Sequence, residues 1–538
     1  MKRPALKDLT LRQKIGQTGF PSPRQLLDGV IEFGGYDKYL QAYPFTGVYL
    51  WRKMWDHNNV TPATPEESAK LWKSVSDACD IPLLVAADAE HGASGLFDNL
   101  HKMPTMMALG AAHSGEMAYM RSYYYAKEMK QCGVNWSFSP VCDLSGHLLA
   151  PGVIRTMSDN ADLIVKLIPD LLRGYADAGI ASTAKHYPGT FGDYRDSHFT
   201  ANSNRQTKEE WDNSYRKIWQ AAVDAGAPSI MVSHCSLPCI DDSFAKGTLR
   251  RPASASKKIV DVLRYEMGYK GVIVTDAVGM KGVAAAFEHE DVYIECFNAG
   301  NDIILFCGSD YIDVMERAIA DGRVSMQQLD AAVERILDMK EALGLFDRPE
   351  LPAPLTEEEN QAVASVTYEV AKKAITLVNN VDNMIPFDPK KVKNVLIVKL
   401  SPAESFNSSV QKMVEVFAER GIHADLVDRV KGKPEMKEFS EKYDMIIFAC
   451  YMSQSEPEGY AFYSRHEDLQ TLMAALSYGA EKTVAISFGT PAIYFNYFEQ
   501  SNAFLNTYSN DLGAVRAVVE GILGDFEFVG KSPRKLSL

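Results

Sequence analysis

Short apolar runs alternate with longer amphipathic stretches through the first two-thirds of this chain, and that alternation restricts its fold more than any other feature. The runs fall at 46–51, 82–88, 134–140, 180–185, 229–234, 271–276 and 302–306, with one more short run near 15–20. Strands that are apolar along both faces and separated by helices belong to a parallel sheet covered on both sides. Seven or eight such units over roughly 340 residues predict an α/β fold that begins with a (β/α)8 TIM-like barrel.

The polar residues of these runs gather at one end. Asp88, Lys185, His186, His234 and Asp276 each close an apolar run, which is the carboxyl end, where barrel enzymes assemble their sites. Nine of the eleven histidines lie between positions 57 and 289, inside the same region. One residue of this kind is commonly a helix cap or a satisfied core group; five together predict a site.

A chain of 538 residues exceeds one ordinary domain. The pattern changes near position 345. Residues 350–360 are proline-rich and then acidic, which marks a linker, and a helix is expected from about 356 to 374. A second alternation follows at 395–400, 444–450, 483–488 and 503–507, with helical stretches at 467–480 and 511–523. It predicts an open αβα sandwich. The expected division is a catalytic barrel over 1–345, a linker and connecting helix over 346–374, and the sandwich over 375–538.

The balance of charge narrows the partners. A net charge of −14 argues against nucleic acid or an anionic membrane surface. No apolar run is long enough to span a bilayer, and the basic N-terminus lacks the apolar stretch of a signal peptide. A cytoplasmic location is expected, with no membrane partner. Eight scattered cysteines do not form a disulfide framework. Cys235 and Cys239, beside His234, have a spacing some metal sites use, but no second pair accompanies them, so buried thiols are expected and no metal or cofactor is assigned.

One stretch carries the chemistry: Lys185-His186-Tyr187-Pro188-Gly189-Thr190-Phe191-Gly192-Asp193-Tyr194-Arg195-Asp196-Ser197-His198. A strand end presents Lys-His, and a mobile loop then delivers a carboxylate two residues before an imidazole. That pairing suits proton transfer near neutral pH. With Asp88-Ala89-Glu90-His91-Gly92, the run ending in Asp276 and the segment 298–305, the stretch resembles glycoside hydrolase family 3, in its β-N-acetylhexosaminidase branch. That branch carries Lys-His-Phe-Pro-Gly-His-Gly-x4-Asp-Ser-His, which residues 185–198 match in length without a gap. Residues 375–386 and 530–533 look like the start and the close of the family's second domain.

The resemblance implies a retaining exo-β-N-acetylglucosaminidase acting on small glycans or cell-wall fragments. Asp276 is its implied nucleophile, and His198 its implied acid/base with Asp196 orienting it. Asp88, Arg155, Lys185 and His186 match positions that bind sugar hydroxyls. His234 ends a strand and is a candidate for the same task; Asp143 is either structural or part of the site wall. The chain departs from the pattern at His91, at Thr190-Phe191, and in lacking an arginine soon after Glu90, which bears on specificity more than on mechanism. Three other readings remain open: a glycoside phosphorylase using the same residues, a β-glucosidase drawing its acid from Glu456 or Glu458, and a non-catalytic sugar-binding protein. The expected partner is a small carbohydrate; oligomeric state is left undetermined.

Overall fold

The computed structural model describes residues 2–50, 62–146, 152–190, 192–193, 195–452 and 465–536. They group into two compact units. The first comprises Met1–His101, Ser122–Leu144 and Ile164–Asn360; the second comprises Lys102–Arg121, Ser145–Leu163 and Gln361–Leu538. The second unit therefore includes two segments from within the first 345 residues.

The first unit is the barrel. Its strands are β1 (Gly19–Pro21), β2 (Gly47–Tyr49), β3 (Leu84–Ala87), β4 (Trp136–Ser137), β5 (Ala181–Tyr187) and β6 (Ser229–Val232), with a hairpin of β7 (Phe244–Lys246) and β8 (Leu249–Arg250), then β9 (Val272–Thr275) and β10 (Ile304–Cys307). Parallel pairing runs in the order β2-β3-β4-β5-β6-β9, a parallel bridge between Val274 and Ile303 adds β10, and β10 pairs in parallel with β1. Thr46 donates its N–H to the Gly19 carbonyl at 3.1 Å, joining β1 to β2 and closing the ring. The interior is a packed layer in which Phe20, Trp136 and Phe138 meet edge to face, with Leu84, Met231, Val274 and Leu305 around them. The Trp136 indole N–H is satisfied by the Ser229 hydroxyl at 2.9 Å.

Two details differ from the sequence reading. The run near 15–20 is mostly helix, Leu11–Thr18, and only its end enters β1. Thr10 and Gln13 form a capping box there, which outweighs the apolar pattern. The β7–β8 hairpin after β6 has no apolar alternation and was not anticipated; half of it is exposed.

Lys340 ties the helix Met326–Ala342 to the helix Leu11–Thr18 and to Thr46, just before β2. Its side chain is fully buried and donates to Gln17 Oε1 at 2.7 Å and to the Thr46 carbonyl at 3.0 Å. Burial holds its pKa down to about 7. The folded protein thus binds this proton less tightly than the unfolded chain, whose lysine titrates near 10.4. The penalty is present in full below about pH 7 and fades as pH rises toward the unfolded value. Wild type should therefore gain stability over Lys340→Met between pH 7 and 9.5, by up to about 1.4 kcal/mol per pH unit. Urea unfolding of both proteins at several pH values measures this, and parallel curves would show that Lys340 keeps its proton.

The second unit holds a six-stranded sheet of β11 (Thr376–Asn380), β12 (Asn394–Leu400), β13 (His423–Val427), β14 (Met445–Cys450), β15 (Thr483–Ser487) and β16 (Ala503–Asn506). The order is β11-β16-β15-β14-β12-β13, parallel except for β11. Alternate residues serve opposite faces. Val395, Ile397, Ile447, Val484 and Leu505 pack under the helices Asn407–Glu419 and Leu512–Ile522, while Leu396, Val398, Phe448 and Phe504 pack on the other side. The anticipated connecting helix is Glu357–Ala374, started by Thr356, whose hydroxyl accepts the Glu359 N–H. Among the described residues no helix is long and apolar enough to cross a membrane.

Candidate active site

The strands of the ring are parallel, so residues just past β3, β4, β6 and β9 share one face with the end of β5. Lys185, near the end of β5, is almost fully buried and bonds both carboxylates of the turn after β3. Its ammonium donates to Asp88 Oδ1 and lies 2.6 Å from Glu90 Oε1. Ala89 between them has φ +31°, a left-handed bend rarely taken by an alanine, and such bends concentrate at functional sites. Asp88 also accepts the Tyr49 hydroxyl at 2.7 Å. Burial and then the Asp88 charge push the Tyr49 pKa well up, so the phenol remains a donor.

His186 follows in a cis peptide with Lys185. Its backbone N–H and its ring Nδ1 both meet Asp143 Oδ2, at 3.1 and 2.7 Å, and Asp143 Oδ1 accepts the Thr190 N–H at 2.7 Å. Asp143 is wholly buried. With both oxygens committed to the protein, it holds the imidazole and the start of the loop in place, which answers whether it is structural or lines the wall. Gly189 has φ +125°, and a Cβ there would lie 2.4 Å from the Tyr215 ring, so the turn after Pro188 accepts only glycine.

Asp276 stands directly after β9, and its Oδ1 accepts the N–H of Ala277 at 2.8 Å. Burial works to raise its pKa, but the nearby imidazoles of His186 and His234, the Ala277 N–H and the His198 imidazole outweigh it. The carboxyl is held below the ordinary aspartate range and is charged. His234 is buried, with Nδ1 2.7 Å from the Ser254 hydroxyl and Nε2 2.9 Å from the Ala277 carbonyl. Desolvation lowers its pKa against the pull of Asp276. Nε2–H must be the donor to the carbonyl, so His234 holds Ala277, whose own N–H in turn holds Asp276.

The loop after β5 brings in Asp196 and His198. Asp196 Oδ1 accepts both the His198 N–H at 2.8 Å and its ring Nδ1–H at 2.7 Å. The His198 ring is partly exposed, whereas Asp196 is largely covered. The described part of this loop is tied down. Gly282 and Lys281, just past Asp276, donate N–H groups to the Ser197 and His198 carbonyls at 2.9 and 3.3 Å. A Cβ on Gly282 would come within 2.9 Å of His234 Cβ, so glycine permits this close approach. Asn202 and Asn204 exchange backbone bonds with Ser236, past β6. Phe191 and Tyr194 lie outside the described residues, as do Glu456 and Glu458.

Seven of the predicted residues thus share one face of the first unit: Asp88, Lys185, His186, Asp196, His198, His234 and Asp276. Arg155 belongs to the second unit, at the end of the single turn Val153–Arg155. The sequence reading missed Tyr49, although it too lies at a strand end, and it missed the contact of Glu90 with Lys185. Among the described residues no group of three or more His, Cys, Asp or Glu is placed to hold a metal ion.

Residues 11–339 match the glycosyl hydrolase family 3 N-terminal domain. The chain belongs to glycosyl hydrolase family 3. It is a glycosidase. A beta-N-acetylglucosaminidase/beta-glucosidase from Cellulomonas fimi is 26% identical to this family 3 enzyme over 492 residues, covering 87% of this chain and 86% of its own. Beta-hexosaminidase A from Pseudoalteromonas piscicida is 25% identical over 474 residues, covering 80% and 77%. Among solved structures, the beta-glucoside phosphorylase BglX has a TM-score of 0.84 at 22% identity, covering 99% of this chain and 94% of its own. A family 3 beta-N-acetylglucosaminidase from Paenibacillus sp. str. FPU-7 has a TM-score of 0.81 at 23% identity, covering 98% and 99%. These two likenesses establish a common fold.

The triple use of Asp143 gives a direct test of the family 3 enzyme. Asp143→Asn replaces one acceptor oxygen with a donor, releasing the His186 ring or the Thr190 N–H. Turnover of a chromogenic glycoside, read as kcat/KM, should fall about 10²-fold with the circular dichroism spectrum unchanged. Wild-type kcat/KM would show that Asp143 does not position the site.

Proposed function

We propose that this family 3 enzyme is a retaining exo-β-N-acetylglucosaminidase that removes terminal β-linked N-acetylglucosamine from small glycans such as cell-wall fragments. The observation that carries the reading is the docking of the Asp196–His198 turn onto the segment that begins with Asp276, through the Lys281 and Gly282 N–H groups. A charged carboxylate and an imidazole backed by its own carboxylate are thereby held beside one another. The names of the Cellulomonas and Pseudoalteromonas relatives support the choice of sugar.

In this reading Asp276 attacks the anomeric carbon as the bond to the leaving oxygen breaks, and His198 gives that oxygen the proton on Nε2. Nδ1–H stays on Asp196, which stabilises the imidazolium and fixes the ring. Water then attacks the glycosyl-enzyme, yields its proton to His198 and releases Asp276, so configuration is retained. Asp88, Lys185 and His186 bind hydroxyls of the sugar. We place His234 behind Asp276 as its support, because both ring nitrogens are engaged by protein groups.

Asp276→Ala should lose at least about 10⁴-fold in kcat on 4-nitrophenyl β-N-acetylglucosaminide, since a nucleophile has no substitute. His198→Ala should lose far more on substrates with poor leaving groups than on aryl glycosides, which need little protonation. Equal losses would remove His198 from the role of acid. The acid limb of kcat/KM should lie below the ordinary aspartate range, and His186→Gln, by removing the strongest opposing charge, should move it to higher pH. Comparing the N-acetylglucosaminide with the matching glucoside, each with and without phosphate, tests the substrate. Preference for the glucoside would overturn the choice of sugar, and phosphate-dependent release of sugar 1-phosphate would make the enzyme a phosphorylase.

A further inference from the structure

We propose that Phe199 is the platform of the leaving-group subsite, stacking against the flat face of the ring whose glycosidic oxygen His198 protonates. The inference rests on the proposed role of His198 and extends it to the part of the substrate that departs. Phe199 is 66% exposed and follows His198 directly. Its ring centre lies 6.3 Å from the imidazole, with the planes inclined at 49°.

An isolated exposed apolar side chain needs no explanation by itself. What sets Phe199 apart is the frame that holds it. Its N–H and that of Thr200 both bond the Asp196 carbonyl, at 3.1 and 3.0 Å, so the ring belongs to the same turn as the dyad. That turn is fixed from the other side by the Lys281 and Gly282 N–H groups on the His198 and Ser197 carbonyls. The backbone that carries the ring is therefore fixed in the same turn as the proton-donating imidazole. Among the described residues, the other exposed aromatics of this unit lie against cations: Arg250 is 5.1 Å from the Phe244 ring and Lys257 is 5.9 Å from Tyr265. Phe199 neighbours the imidazole instead.

Geometry then gives the ligand class. The sugar that is cleaved lies between Asp276 and His198, so the leaving group lies on the far side of the bond that His198 protonates. An exposed apolar ring there fits the carbon–hydrogen face of a second sugar, or an aryl group, and offers nothing to a small alcohol. Binding energy from such a remote contact is realised as catalysis on ring-bearing substrates.

The test compares N,N′-diacetylchitobiose, whose leaving group is a sugar ring, with methyl β-N-acetylglucosaminide, whose leaving group is methanol. In Phe199→Ala the ratio of kcat/KM for the disaccharide over the methyl glycoside should fall about tenfold, and Phe199→Trp should restore it. An unchanged ratio, or equal losses on both substrates, would overturn the proposal, the second outcome showing that Phe199 only supports His198. Should wild type prefer glucosides, cellobiose and methyl β-glucoside replace the pair and the platform is judged in the same way. All four are assayed with and without phosphate, and wild type that cleaves none of them under either condition would remove the acid role of His198, and the platform with it.

Discussion

Parallel pairing of β10 with β1 closes the ring, and the rest of the site depends on that closure. In a closed parallel barrel every carboxyl end lies on the same rim. The turn after β3, the buried Asp143 past β4, the Lys-His end of β5 and the Asp276 turn after β9 are thereby brought around one mouth. An open sheet of the same strands would leave its two edges apart. The packing of Phe20, on β1, against Trp136 and Phe138 across the interior holds the ring shut from within.

Charge taken out of water on this scaffold is matched almost group by group. Asp302 at the start of β10 accepts the Ile273 N–H and the guanidinium groups of Arg264 and Arg335. Asp143 has three N–H donors, and Lys185 has two carboxylates. A buried carboxylate held by several donors is rigid, which a site that must orient a neutral, polyhydroxylated ring requires.

The acid/base turn shows the same economy of position. The described part of the loop that carries Asp196 and His198 is anchored to residues past both β6 and β9. Asp276 and the Asp196–His198 pair are thus parts of one hydrogen-bonded assembly, in which His234 and Ser254 form the layer behind Asp276.

Much of this was legible in the chain itself. Apolar runs of strand length separated by helical stretches name a parallel α/β barrel because only a doubly covered strand tolerates apolar residues on both faces. Residues at the ends of those runs, Asp88, Lys185, His186 and Asp276, fall on one face for the same reason, and the Asp196-Ser197-His198 turn is local enough to read directly. Edge strands β11 and β13 and the β7–β8 hairpin escaped, since half-exposed strands carry polar residues and lose the signal. Partnerships across the rim were beyond reach: Asp143 with His186 and Thr190, His234 with the Ala277 carbonyl, Glu90 with Lys185. Sequence sets which side chains stand at each strand end, because strand periodicity is local. Which of them touch is decided by barrel closure and by the few backbone hydrogen bonds that dock one loop on another, and those join residues far apart in the chain.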